Sequence, residues 1–202
     1  EANASFLFQR SAAEGFFAQN RLKSSQNCVI MSLINQNLRR SVMVRIEPIN
    51  AKNVWEIIKL RVSEEQKDFV APNDLSIIEA YIAITENGHA FPFGIFDENV
   101  PVGFLMIGYD VDDSYENPPK IAYGNYSIWR LMIDEKYQRK GYGREALRLA
   151  LDFIRTYPCG KAKFCYLSYE PDNENAKKLY TEFGFTENGE MDDDEVVSVL
   201  EL

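Results

Sequence analysis

The sequence predicts a mixed α/β domain on three observations: strand-like apolar runs alternate with helical-period segments from Met43 onward, glycine and proline punctuate the joins, and 202 residues suit one core rather than two. Val44-Arg45-Ile46 opens a first strand at 43 to 48. A helix near 50 to 62 follows, with Val54, Ile57, Ile58 and Val62 on one face. Ser63 to Ala71 is polar. Pro72 then suits the start of a second helix, with Leu75, Ile78 and Ile82 behind it at helical spacing. Strands at about 90 to 97 and 101 to 109 are joined by Glu98-Asn99 as a hairpin, and Asp110 to Lys120, with Pro118-Pro119, is loop. A long strand at about 121 to 133 ends in Ile128-Trp129-Arg130-Leu131-Met132-Ile133. The helix from about Gly143 to Tyr157 puts Leu147, Ala150, Leu151 and Ile154 on one face and is stopped by Pro158 and Gly160. A strand at 161 to 169, a helix at 173 to 183 and a final strand pair complete the domain.

Residues 1 to 42 are rich in Ser, Asn and Gln and lack sustained periodicity, so they are expected to be an appended extension, with 43 to 202 as the folded domain. They are basic and poor in acids, as transit peptides are, while Phe16-Phe17 is too short for a signal-peptide core. Arg10, Arg21, Lys23, Arg39 and Arg40 against Glu1 and Glu14 give this stretch +3, which leaves −12 of the total −9 for the domain. A domain so acidic repels nucleic acid and anionic lipid and draws cations into any acidic cleft, so small cationic amines become substrate candidates beside the plainer reading that the charge keeps the protein in solution. No apolar run is long enough to cross a bilayer.

Cys28, Cys159 and Cys165 form no CxxC pair and are odd in number, so neither a disulfide framework nor a zinc site is expected and a reducing compartment, the cytoplasm, fits best. The lone His89, near a turn, makes a Ser-His or Cys-His nucleophile system improbable.

Between the long strand and the following helix lies Gln138-Arg139-Lys140-Gly141-Tyr142-Gly143. Backbone N–H groups there, with the helix N-terminus, can hold a pyrophosphate, and the glycines let the backbone approach it. Gly141, Gly143 and Ala146 also satisfy the dinucleotide pattern G-x-G-x-x-A, with Glu170 ending the next strand. Against that rival, the seven residues Asp134 to Lys140 separate Ile133 from Gly141, and only 32 residues follow Glu170, too few for further βαβ units.

Further on, Asn173-Glu174-Asn175-Ala176-Lys177-Lys178-Leu179-Tyr180-Thr181-Glu182-Phe183-Gly184-Phe185 resembles the N-x-x-A-x-x-L-Y-x-x-x-G-F signature of the GNAT superfamily of N-acetyltransferases. The resemblance spans 43 to 202 in layout and 121 to 202 in detail. It implies a central mixed, mostly antiparallel sheet of six to seven strands flanked by about four helices. It also implies acetyl-coenzyme A as co-substrate, without a metal. The main chain of Leu131, Met132 and Ile133 would receive the pantetheine arm like an added strand, with a backbone N–H facing the thioester oxygen. The N–H groups that follow Gln138, through Arg139, Lys140, Gly141, Tyr142, Gly143 and Arg144, would hold the pyrophosphate. Asn173 and Ala176 would touch the cofactor, Asn173 serving also as helix N-cap. Tyr180 would be the general acid that protonates the leaving thiolate.

Within the superfamily, Ile133 to Gln138 and the ending Phe185 to Leu202 are most similar to bacterial spermine/spermidine and related diamine acetyltransferases, which agrees with the charge. Glu64, Glu65, Asp68 and Glu79 are candidates for recognising the ammonium groups. No carboxylate occupies Ser127-Ile128-Trp129-Arg130, where many relatives carry a base, so the general base is left open. Direct transfer in a ternary complex is expected, since no acyl-accepting cysteine lies near the motifs. The family likeness also points to a homodimer. The alternatives are the same chemistry on a protein N-terminus, an aminoglycoside or an amino acid, and a non-catalytic acyl-coenzyme A sensor.

Overall fold

The computed structural model describes residues 43–202; the extension at 1 to 42 lies outside them. Among the described residues, seven strands and four helices follow in chain order: β1 (Val44–Pro48), α1 (Val54–Ile57), α2 (Asn73–Thr85), β2 (His89–Asp97), β3 (Val100–Tyr109), β4 (Tyr126–Ile133), α3 (Tyr142–Ile154), β5 (Phe164–Tyr169), α4 (Glu174–Glu182), β6 (Thr186–Asp192) and β7 (Glu195–Glu201). The strands form one sheet in the order β1-β2-β3-β4-β5-β7-β6. Every pairing is antiparallel except β4 with β5. Such a sheet is not the parallel array a dinucleotide-binding fold needs, which removes the G-x-G-x-x-A reading.

Both faces of the sheet are covered, so Val102 to Ile107 of β3 are buried without a polar gap. Alternation sends Leu105 and Ile107 to the α3 side, where Leu147, Ala150, Leu151 and Ile154 meet them. Phe104 and Met106 go to the other side with Ile57, Ala80, Ala83 and Met132. Each fully buried Leu or Ile contributes about 1.5–3 kcal/mol relative to exposure.

Three local expectations are revised. The helix expected near 50 to 62 is only the single turn Val54–Ile57, because Arg61 is drawn into tertiary bonds: its N–H donates to the Asp134 carboxylate at 3.1 Å and its carbonyl accepts from Glu135 N–H at 2.9 Å. The strand expected from 121 begins at Tyr126, since Pro118-Pro119 leads into a 3-10 turn, Lys120–Ala122, and Gly124 has φ +68°. Helix α2 buries Ser76, Ala80 and Ala83, whereas Leu75, Ile78 and Ile82 face outward. The small residues let the helix backbone lie close to the large side chains Phe96, Phe104 and Met106, which already fill that layer.

Candidate active site

The site is made by two parallel strands that part. β4 and β5 pair only at Tyr126 with Cys165 and Ser127 with Tyr166, and then diverge. From Ile128 to Ile133 the edge of β4 away from β3 is therefore without a strand partner, and its N–H and C=O groups are available to an extended ligand. On the β3 side, Leu105 pairs with Leu131 and Gly103 with Ile133. A Cβ on Gly103 would lie 2.4 Å from the Met132 carbonyl, so only glycine allows that approach. The register slips between Met106 and Ile107, leaving Trp129 as the extra residue of a bulge that turns Trp129 and Arg130 at the point of divergence.

Below the opened wedge, a cleft is lined by Leu131, Met132, Ile133, Gln138, Gly143, Asn173, Ala176, Leu179 and Tyr180, with Gln66, Phe69 and Val70 of the 63-to-71 segment forming its outer wall. It continues along Gln138, Arg139, Gly141, Tyr142 and Gly143. Arg139 has φ +61° and Gly141 φ +90°, and Gly141 caps α3 in the left-handed conformation. The first-turn N–H groups of a helix lack intrahelical partners, so this loop and helix start offer donors to an anion. Gln138 fixes the loop by donating to the Ile133 carbonyl at 2.9 Å and to the Gln66 side chain at 2.8 Å. An extended arm on the β4 edge and a pyrophosphate at the loop are what coenzyme A requires, so the residues fit it.

The predicted cofactor residues divide by which atoms they offer. Tyr142 and Met132 are buried with their side chains in the core, the Tyr142 hydroxyl donating to Asp97 at 2.5 Å, so only their main chain faces the cleft. Lys140 bonds the Lys136 carbonyl at 2.8 Å and Arg144 pairs with Glu182. Asn173 caps α4, accepting from Ala176 N–H at 3.1 Å, and lines the wedge as well. Tyr180 projects from α4 to the place where the strands part, packed on Tyr169 at 5.8 Å and Phe185 at 6.0 Å. Burial, helped by the nearby Glu195 charge, raises its phenol above the ordinary tyrosine range and keeps it protonated.

On the other side of the junction lies a second cleft of ≈ 620 Å³. Its acids are Glu79, Asp112, Glu116, Glu170, Asp192, Asp193, Asp194 and Glu195, and among the described residues Arg130 is the one basic residue lining it. Arg130 donates to Glu79 at 3.2 Å. Tyr115 donates to Asp192 at 2.6 Å, tying the 110-to-120 loop to the β6–β7 turn. Of the acids named from sequence, Glu79 lines this cleft and Asp68 lines the junction, while Glu64 is exposed and paired with Lys67 and Glu65 is exposed. The run Asp192 to Glu195 is not recognisable as a site in one sequence, which does not bring the β6–β7 turn to the same cleft as Trp129 and Arg130 of β4. Consecutive acids in a turn were the only available signal.

A model of the Acetyltransferase (GNAT) family matches residues 55–185. The chain belongs to the GNAT acetyltransferase family. A "Spermine/spermidine N(1)-acetyltransferase" of Bacillus subtilis is 32% identical to it over 167 residues, covering 79% of this chain and 99% of that protein. Among solved structures, the aminoglycoside acetyltransferase AAC(6')-Ib in complex with coenzyme A superposes on this GNAT domain with a TM-score of 0.62 at 14% identity, covering 78% and 94% of the two chains. The PaiA N-acetyltransferase of Thermoplasma acidophilum, also with coenzyme A, gives 0.54 at 14%, covering 79% and 99%. The likeness to these last two is one of fold. This GNAT domain is thus an N-acetyltransferase with the family's sheet.

Proposed function

We propose that this enzyme transfers the acetyl group of acetyl-coenzyme A to a primary amine of a small polycation, spermine or spermidine, by direct attack within a ternary complex in the cytoplasm. The observation that carries the reading is the acidic cleft, which reaches the junction of β4 and β5 from the side opposite the coenzyme cleft. Ser168, Glu195 and Arg130 line both that cleft and the junction that holds Tyr180. A cleft walled by eight carboxylates and one guanidinium concentrates polycations and rejects anionic acceptors. The Bacillus subtilis relative bears the name of the same substrate class.

Coenzyme A would lie along the free β4 edge with its pyrophosphate at Gln138 to Arg144, and Tyr180 would give its proton to the departing thiolate. Neither described cysteine suits an acyl-enzyme route. Cys165 is fully buried and burial raises its thiol well above the ordinary range, while Cys159 follows α3, its N–H bonded to the Tyr126 hydroxyl at 2.9 Å.

Release of free thiol from acetyl-coenzyme A, compared for spermine, spermidine, putrescine, lysine, an aminoglycoside and a peptide α-amine, tests the reading. Turnover concentrated on the polyamines is expected. Faster turnover of the aminoglycoside or the peptide would refute the substrate class while leaving the chemistry in place.

A further inference from the structure

No base stands on β4, yet an amine of lysine-like pKa, about 10.4, is almost wholly protonated at neutral pH and cannot attack a thioester until a proton leaves. The structure places one carboxylate where both reactants arrive. Glu195 opens β7, lines the acidic cleft, and also lines the junction pocket with Tyr180, Tyr169, Asn173 and Leu131. Asp68 also borders the junction, but it is exposed and absent from the acidic cleft lining. The other cleft acids do not reach the junction.

We propose that Glu195 is the general base that takes the proton of the acceptor ammonium at the junction. The proposal rests on the acidic cleft being the amine's way in. Glu195 is held rather than free: the Ser168 hydroxyl on β5 donates to its carboxylate, and Arg130 on β4 faces it with positive charge. Glu170 and Asp192 face it with negative charge, and the phenol of Tyr180 lies within its field. Burial is the largest influence and outweighs the Ser168 bond and Arg130, so the carboxyl sits above the ordinary glutamate range and is a better proton acceptor for it.

The Glu195 carboxylate removes one proton from R–NH3+, and the freed lone pair attacks the thioester carbon to form the C–N bond. The C–S bond breaks, the sulfur takes the Tyr180 phenol proton, and the nitrogen's second proton returns to the phenolate. Glu195 releases its proton to solvent. The products are R–NH–acetyl, coenzyme A thiol and one proton.

The test compares wild type with Glu195→Gln on whichever ammonium substrate wild type turns over fastest, so that failure of the polyamine reading changes the substrate and not the test. Bound coenzyme A, measured by calorimetry, controls for folding. Glu195→Gln should lose at least about a hundredfold in kcat at pH 7, with KM for acetyl-coenzyme A unchanged. Its kcat/KM for the amine should rise about tenfold per pH unit from 7 to 9, because only pre-neutralised amine then reacts, while the wild-type profile is flatter. A kcat within about threefold of wild type, or a loss confined to amine KM with the two pH profiles parallel, overturns the proposal. Should Glu195→Gln fail to bind coenzyme A, Glu195→Asp decides: a reduced kcat at unchanged amine KM supports the base, and a wild-type kcat with raised amine KM rejects it.

Discussion

Tyr180 combines near-complete burial with a place in the lining of both the coenzyme cleft and the junction pocket. Its phenol has no described hydrogen bond and is held protonated by burial. Tyr180→Phe removes only the hydroxyl and should lower kcat by about a hundredfold or more, with a thermal midpoint close to wild type in parallel scans. Because burial raises the phenol pKa, the folded state favours the neutral form, and the stability of the fold is complete below pH 10 and declines as pH rises above it. The same reasoning applied to Glu195 makes Glu195→Gln more stable than wild type at pH 8, a gain that vanishes as pH falls toward 4, because a raised carboxyl destabilises the fold only when ionised. Chemical denaturation at the two pH values measures it. Tyr180 and Asn173 were legible as cleft residues only through their places in the GNAT-like signature; spacing alone makes them a packed aromatic and a helix cap. Glu195 was not, since its nearness to Ser168 and Arg130 comes from β5–β7 pairing across 27 residues of chain.

Among the elements, α2 shows where periodicity misleads. Leu75, Ile78 and Ile82 have helical spacing, yet the helix seats itself on Ser76, Ala80 and Ala83 because the layer beneath is already full. Ala80→Leu should therefore cost about 1–3 kcal/mol through overpacking, whereas Ile78→Ser, at a position 55% exposed, should change stability by no more than about 0.5 kcal/mol. Urea titrations of the two variants decide which face is inside. The α3 face, by contrast, was legible, since its apolar residues are also its buried ones. The splay of β4 from β5 was invisible in sequence. It depends on where pairing stops after Ser127, and the bulge at Trp129 has no local signature beyond an aromatic in an apolar strand.

At the scale of the molecule, the acidity of the domain was legible as a number but not as a shape. Composition gave an excess of carboxylates; the fold gathers eight of them from α2, the 110-to-120 loop, the end of β5 and the β6–β7 turn around one cleft. Attraction of this kind is screened by salt. Raising ionic strength from about 0.05 to about 0.5 M should increase KM for spermine by roughly tenfold while kcat moves less than about twofold. On the proposed reading, an anionic coenzyme and a cationic acceptor would meet at one junction, each by its own cleft. A crystal structure of the dead-end complex with coenzyme A and spermine tests this most directly. The pantetheine is expected along the β4 edge from Leu131 to Ile133, one primary ammonium between Tyr180 and Glu195, and the rest of the polyamine running past Glu170 and Asp192 to Asp194. Spermine bound elsewhere, with the acidic cleft open to solvent beside a bound coenzyme, would contradict it.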